Sequence, residues 1–182
     1  MRKKRTDIDF SQHYVVTSKT EDVTMHHIKL PDTRMHSVRF INAYGIMAVT
    51  GDFGNWIFCR EFHPGPKEYI SDGYWLEKLS IASCQKPMEP DWESTTKELK
   101  ELIESGYEAC GYEGDNLKEM KEYAQDCLNA IEDGERRYDV VSVDQLPSCA
   151  DYEDIVNHTK PQFWLLAVFD AFEEICDKLK TT

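Results

Sequence analysis

Two rows of carboxylates are the residues in this sequence whose types and spacing point most directly to a chemical role. In each row the acidic residues recur every three or four positions, with one gap of seven before the last residue of the second row. On a helix this spacing places them on one side, mostly about 5 Å apart. That step is comparable with the one between phosphates along a nucleic-acid strand. The first row is Glu98, Glu101, Glu104 and Glu108, and the second is Asp115, Glu119, Glu122, Asp126 and Asp133. The rows predict a surface that binds a basic partner.

A plainer interpretation of both rows stays open, in which they are ordinary solvated helix faces. Glu93 and Lys97 are spaced as a stabilising i,i+4 pair, and Lys118 and Lys121 interrupt the second row. On spacing alone this interpretation is favoured over a binding surface.

Groups that could catalyse a reaction are sparse. Cys59 and His63 could form a nucleophile and a base, but on an extended strand they would lie about 13 Å apart. The Asp52-Phe53-Gly54 triplet occurs in protein kinases, yet the chain lacks the other kinase motifs. Adjacent His26 and His27 point to opposite faces of a strand and cannot share a metal. We expect no catalytic residue, metal or cofactor, although a small enzyme using Asp52, Cys59 and His63 remains an alternative.

The charge of the chain is strongly negative and unevenly distributed. The 182 residues have a net charge of −13, and 12% of them are aromatic, which is typical of a folded globular protein. Residues 1–60 contain nine Lys or Arg and six Asp or Glu, whereas residues 89–135 contain four and fifteen. Such a chain is repelled by nucleic acid and anionic membranes and attracted to basic surfaces. A nucleic-acid binder using Arg2–Arg5, Lys19 and Lys29 is a less favoured alternative.

Targeting signals are not recognisable in the sequence. The basic residues 1–5 are followed by Asp7 and Asp9 rather than by an apolar signal-peptide core, and no run is long enough to span a membrane. The six cysteines are isolated from one another, as is usual in a reducing compartment. We therefore expect a cytoplasmic protein.

The elements that would position these residues form an α+β fold, with an N-terminal antiparallel β-meander packed against three or four C-terminal helices. Residues 1–12 are predicted to be a basic flexible arm and residues 13–182 a single domain, mainly β over 13–66 and mainly helical and acidic over 71–182. The predicted strands are His13–Thr17, Val23–Leu30, Met35–Ala43, Ile46–Thr50 and Asn55–Phe62. The last two strands form a hairpin around Gly51 and Gly54, and both faces of its second strand are largely apolar, which predicts a strand covered on both sides.

Apolar residues at helical spacing predict three helices in the second half of the chain. One helix starts after Asp91 and ends between Gly106 and Gly111, a second has Asp115 as its candidate N-cap and ends at Gly134, and the last begins near Thr159. Asp115 begins the second row of carboxylates only if its side chain is not used as the cap. Tyr138–Val143 is predicted to add a strand. Tyr74–Leu79, which follows Ser71–Gly73, is expected to form a short helix or turn.

The segments VTGDFGNWIFCREFHP (Val49–Pro64) and SDGYWLEKLSIAS (Ser71–Ser83) resemble a family of small proteins encoded by phages and mobile elements of gut Firmicutes, which would place the protein in the cytoplasm of a bacterial host cell. With the length and acidity of the chain, they are similar to type II-A anti-CRISPR proteins, which inhibit Cas9. The resemblance implies a stoichiometric inhibitor that acts by DNA mimicry on guide-RNA-loaded Cas9 and blocks target binding or cleavage. Its carboxylates would contact the positively charged nucleic-acid channel. Tyr107, Tyr112 and Tyr123 are either interface anchors or core residues, and an acidic binder of another basic protein is the alternative.

Overall fold

A computed structural model describes residues 4–33, 35–65, 69–83, 86–133, 146–150 and 156–180. Its contacts divide the chain into unit 1, residues Met1–Pro87 and Pro161–Thr182, and unit 2, residues Met88–Lys160. The sequence instead predicted one domain over residues 13–182. The predicted fold class is confirmed, since an N-terminal antiparallel sheet is followed by helices. The strand predicted at Tyr138–Val143 lies outside the described residues.

Six strands of unit 1 form one antiparallel sheet in which neighbours in sequence are neighbours in space. Its buried face is lined by residues such as Phe40, Val49 and Trp56, which are in register across three strands. The strands are β1 (Tyr14–Lys19), β2 (Val23–Lys29), β3 (Val38–Ala43), β4 (Ile46–Gly51), β5 (Asn55–Phe58) and β6 (Leu79–Ser83). The predicted meander corresponds to β1–β5, whereas β6 was not anticipated.

The predicted hairpin is present, and its turn depends on Gly51. This residue has φ of +144°, and a Cβ added there would lie 2.0 Å from the carbonyl oxygen of Ser37, so only glycine fits. Asp52 secures the same corner, because its backbone N–H donates to Ser37 O and its carboxylate accepts from Ser37 N, both at 3.0 Å. The second strand ends at Phe58 rather than at Phe62, since Phe62 exchanges two hydrogen bonds with the side chain of Asn42.

Two helices complete unit 1 and cover one face of the sheet. Helix α1 (Asp72–Lys78) begins after Ser71, whose hydroxyl accepts a hydrogen bond from Tyr74 N. The C-terminal helix, α5, spans Phe163–Lys180. Trp75 of α1 is 1% exposed and stacks on Phe169 of α5, with ring centroids 4.9 Å apart. Helix α5 starts later than predicted, because residues 159–161 form a strand.

The segment predicted to be a flexible arm, residues 1–12, is instead packed into unit 1 from residue 5 onward. Thr6, Ile8 and Phe10 are buried. The carboxylate of Asp170 on α5 accepts hydrogen bonds from both the backbone N–H and the hydroxyl of Thr6, each at 2.8 Å. The physical reason is that a carboxylate only 8% exposed requires donors, and the N-terminal segment provides them.

Arg5 adds ion pairs to the hydrogen bonds around Asp170. Its guanidinium donates to Asp72 at 2.7 Å, to Glu173 at 2.9 Å and to Asp170 at 3.3 Å. Burial alone would lower the pKa of Arg5, but the hydrogen bonds and charges of Glu173 and Asp72 outweigh it and raise the pKa. Arg5 is therefore an internal ion-pair partner and not a free cation for nucleic acid.

Unit 2 consists mainly of helices. Its elements are β7 (Met88–Pro90), α2 (Trp92–Glu101), a π-helical segment (Leu102–Gly106), α3 (Tyr107–Ala109), α4 (Gly114–Glu132) and β8 (Thr159–Pro161), the last pairing with β7 and extending one residue beyond the unit. Their core contains Leu99, Tyr107, Met120, Ala124 and Leu128. Helix α2 runs without a break through the π-helical segment into α3.

Candidate protein-binding surface

Helix α4 carries the second predicted row of carboxylates on the side opposite its buried stripe. The stripe follows the i, i+4, i+7, i+8 pattern of a core-facing helix and consists of Met120, Ala124, Cys127 and Leu128. We call the exposed carboxylates the acidic row, which consists of Asp115, Glu119, Glu122, Asp126 and Asp133. At 1.5 Å per residue the row extends over about 27 Å. The structure thus brings these five predicted residues onto one exposed side.

The acidic residues at the two ends of α4 interact differently with the helix dipole. The predicted cap at Asp115 is wrong, because Glu113 precedes the helix and Asp115 lies in its first turn. There the helix dipole favours a negative charge. At the other end the last turn has no basic residue, and Asp133 follows Glu132 where the dipole disfavours an anion. Asp133 therefore costs the helix stability, whereas Glu132 pairs with Lys100 at 3.5 Å.

Much of the charge of the acidic row is not neutralised locally. Glu122 pairs with Lys118 at 3.6 Å, and Glu119 contacts the Cys149 thiol at 3.9 Å. Within the described residues no cation lies within ion-pair distance of Asp115, Asp126 or Asp133. Ion pairing within the described residues therefore involves one of the five carboxylates, and all five side chains are exposed to solvent.

The first predicted row does not form a single line. The π-helical segment adds one residue to a turn, which rotates the residues after it by roughly 100° relative to an α-helix. Tyr107 is thereby placed in the core, 2% exposed, while Glu104 and Glu108 leave the line of the preceding glutamates. Three of the four acids contact cationic or titratable groups: Glu98 contacts His158, Glu101 contacts Lys97 at 3.8 Å, and Glu108 contacts Lys121 at 2.9 Å.

The tyrosines considered as interface anchors are mostly core residues. Tyr107 and Tyr123 are 2% and 7% exposed, and burial raises the pKa of Tyr123. Tyr112 is partly exposed and packs edge-on against Tyr107, with ring centroids 5.9 Å apart. Two of the three therefore stabilise unit 2 internally.

Sequence reasoning missed a groove beside the acidic row. A cavity of about 440 Å³ has an apolar floor of Ile103 and Leu117, and Lys118, Lys121 and Glu122 line it as well. Ile103 belongs to the π-helical segment, and no sequence pattern indicated that segment. The groove could admit an apolar side chain of a partner bound along α4.

The residues considered for an enzyme have separate surroundings. Asp52 lies at a cavity of about 410 Å³ with His36 and Trp164, whereas neither Cys59 nor His63 is among the residues that line it. The ring of His63 pairs with Glu61 at 2.9 Å. No group of three potential metal ligands occurs among the residues that the structure describes.

The comparisons with known proteins leave the chain without an identified relative. Neither a protein-family model, nor a curated protein, nor a solved structure matches it. Separately, none of the described helices is long and apolar enough to cross a bilayer.

Proposed function

We propose that the protein is a stoichiometric inhibitor that presents the acidic row of α4 to a basic nucleic-acid-binding surface of guide-RNA-loaded Cas9. Bound there, it would exclude target DNA or prevent its cleavage. One observation carries the proposal: carboxylates recur along one exposed side of a 19-residue helix, and the last of them, Asp133, opposes the helix dipole. Cas9 as the partner rests on the resemblance of Val49–Pro64 and Ser71–Ser83 to anti-CRISPR proteins.

Physical arguments support the acidic row as the contact surface. From Asp115 to Asp126 successive carboxylates rise by about 4.5–6 Å along the helix axis, which suits a groove built to hold phosphates, and Asp133 follows after about 10.5 Å. Cas9 holds its heteroduplex in a positively charged channel and reads the adjacent duplex with arginines. Complementary charge accelerates encounter and aligns the partners, and Arg–carboxylate pairs can form two parallel hydrogen bonds. The groove floored by Ile103 and Leu117 adds apolar area beside the charges.

The decisive experiment titrates target cleavage by guide-loaded Cas9 with purified protein around equimolar concentration. Wild type should abolish cleavage near stoichiometry. The variant Glu119→Lys, Glu122→Lys, Asp126→Lys should raise the concentration for half-inhibition at least about tenfold, because it reverses the centre of the row. A neutral variant, Glu119→Gln, Glu122→Gln, Asp126→Asn, should have a smaller effect in the same direction.

A charge-matched control separates the row from the net charge of the protein. Glu21, Asp22 and Asp177 are exposed acids of unit 1, so reversing all three to lysine changes the net charge equally. This control should inhibit like wild type. Equal loss in both triple variants, with circular dichroism unchanged, would assign the effect to net charge and overturn the row as the contact. Full cleavage at large excess across several Cas9 orthologues would exclude Cas9 and leave another basic protein as the partner.

A further inference from the structure

The sheet of unit 1 has a second face, and that face carries an unbroken apolar row. The registers pair Met25 with Ile41, Ile41 with Ala48, Ala48 with Ile57, and Ile57 with Ile81. Side chains directly opposite one another lie on the same face. The row therefore crosses five adjacent strands, from β2 to β6, over about 19 Å. We call this surface the open sheet face.

Nothing in the described core covers this face. Met25, Ile41, Ala48 and Ile57 are half-buried, yet they belong to neither of the two hydrophobic clusters that the described residues form. Ile81, at the end of the row, is 54% exposed. An antiparallel sheet with one solvated face usually alternates apolar and polar residues, with the polar ones facing water. A continuous apolar row there is instead a mark of an interaction site.

Neighbouring positions make the open sheet face apolar and cationic. A second row on the same face consists of four residues that are in register across β1 to β4: Val16, His27, Arg39 and Thr50. Lys29 lies two residues after His27 on β2 and therefore also belongs to this face. Arg39 and Lys29 both lower the pKa of His27, after the larger effect of its burial, so the three groups are close. All six strands lack Asp and Glu, although the chain contains 34 such residues.

We propose that the open sheet face binds an amphipathic α-helix of a partner protein, one with an apolar stripe bordered by acidic residues. The stripe would lie along the row from Met25 to Ile81, and the acids would pair with Arg39 and Lys29. The covered face provides the precedent within this fold: α5 packs there, with Phe172 edge-on against Phe40 at 5.4 Å. A bound helix would complete a helix–sheet–helix sandwich.

Other occupants match these side chains less well. Single-stranded nucleic acid stacks its bases on aromatic rings, whereas the row consists of aliphatic side chains and a methionine. Tyr14, in register with Lys29 on this face, already has the Lys29 ammonium 5.3 Å from its ring centroid. An anionic membrane attracts clusters of four to eight cations, whereas this face offers Lys29 and Arg39. A second copy docked through the same face would bring like charges together. The acidic helix satisfies both the apolar row and the cations.

The test uses two synthetic helical peptides of about 14 residues, the length that spans the row. Both carry leucines along one stripe, bordered by glutamates in one peptide and by lysines in its twin. Fluorescence anisotropy with the full-length protein should show the acidic peptide binding at least about tenfold more tightly than the basic twin. Ile81→Ser should weaken binding of the acidic peptide about tenfold, because it removes apolar area at the contact.

Matched variants make the result specific to this face. Arg39→Glu should abolish the preference for the acidic peptide, whereas Lys19→Glu, the same change at an alternate position of β1, should keep it. Met35 is exposed outside the strands, so Met35→Ser controls for Ile81→Ser. Equal binding of the twins, no binding, or variants without effect would overturn the proposal. Tighter binding to phosphatidylserine vesicles, or a dimer in sedimentation that Ile81→Ser dissociates, would replace it with a membrane or self-association surface.

Discussion

Unit 1 and unit 2 share the charge and the apolar core of this chain very unequally. Unit 1 contains 14 Lys or Arg and 14 Asp or Glu, so its net charge is zero, whereas unit 2 contains seven and twenty and carries the entire −13. In the described residues, 21 buried hydrophobic residues form the core cluster of unit 1 and eight form that of unit 2. The unit with the smaller cluster of described buried residues thus also carries the whole net negative charge.

Charged residues affect the stability of the two units in opposite ways. In unit 1 charged groups stabilise the fold, since Arg5 and Asp170 join the N-terminal segment to α5. In unit 2 the carboxylates of α4 repel one another along an exposed helix face, which costs stability. The proposed binding function would give a reason for a surface that is unfavourable for the fold. Changes of charge should then destabilise unit 1 and relieve unit 2.

The largest effect is expected from Asp170→Ala in unit 1. The substitution leaves the backbone N–H and hydroxyl of Thr6 without their buried acceptor and removes one partner of Arg5. The free energy of unfolding should fall by about 3 kcal/mol. Urea denaturation followed by tryptophan emission measures it, since Trp56, Trp75 and Trp164 all belong to unit 1.

Asp177→Ala is the matched control for this change, because Asp177 lies on the same helix with its side chain 50% exposed. It should alter the free energy of unfolding by no more than about 0.5 kcal/mol. Similar losses in the two variants would show that the buried network contributes nothing beyond a surface charge.

The features that the sequence predicted and those that it missed divide into local and distant interactions. The hairpin of β4 and β5 and the stripe of α4 were predicted, because glycine turns and apolar periodicity are local signals. Strand β6 was missed, since it begins directly after α1 with no turn residue between them. The anchoring of Arg5 was missed as well, because its partner Asp170 is 165 residues away.

The candidate surface shows the same limit. The acidic row on α4 was predicted from spacing, since α4 is a regular helix. The carboxylates from Glu98 to Glu108 were predicted to lie along one side of a helix. They do not, because the π-helical segment between them rotates the later residues around the helix axis. The open sheet face was only partly foreseen: both faces of β5 were predicted to be apolar and covered. Which face α5 covers depends on tertiary packing.

A smaller effect is expected from salt on α4. Asp115–Glu119, Glu119–Glu122 and Glu122–Asp126 are like-charge pairs at helical spacing, which together cost about 1 kcal/mol. Raising NaCl from about 0.02 M to about 0.5 M shortens the screening length from about 20 Å to about 4 Å. Amides of α4 should then exchange hydrogen about fivefold more slowly by mass spectrometry, while β3 and β4, which lack acids, change less.

The variant Glu119→Gln, Asp126→Asn removes all three like-charge pairs and keeps the rest of α4. Its exchange should already be slow at low salt and should respond little to added NaCl. If wild-type α4 instead exchanges faster in high salt, attractive pairs such as Lys118–Glu122 dominate, and the row does not strain unit 2.

The smallest effect is expected from pH and concerns the neutral histidines of unit 1. Burial lowers the pKa of His13 and of His26, whose Nδ1 lies 3.0 Å from the Thr17 hydroxyl. The unfolded chain therefore binds protons more readily, and stability should be lost as pH falls from about 6.5 toward the lowered values. The melting temperature should drop by no more than a few degrees between pH 7 and pH 5.5, and less in His26→Gln. His63→Gln should also reduce the drop, but by less than His26→Gln, because the charge of His63 is the smaller of the two causes that lower the pKa of His26. A melting temperature that rises on acidification would show that protonation stabilises unit 1, contrary to the effect of burial.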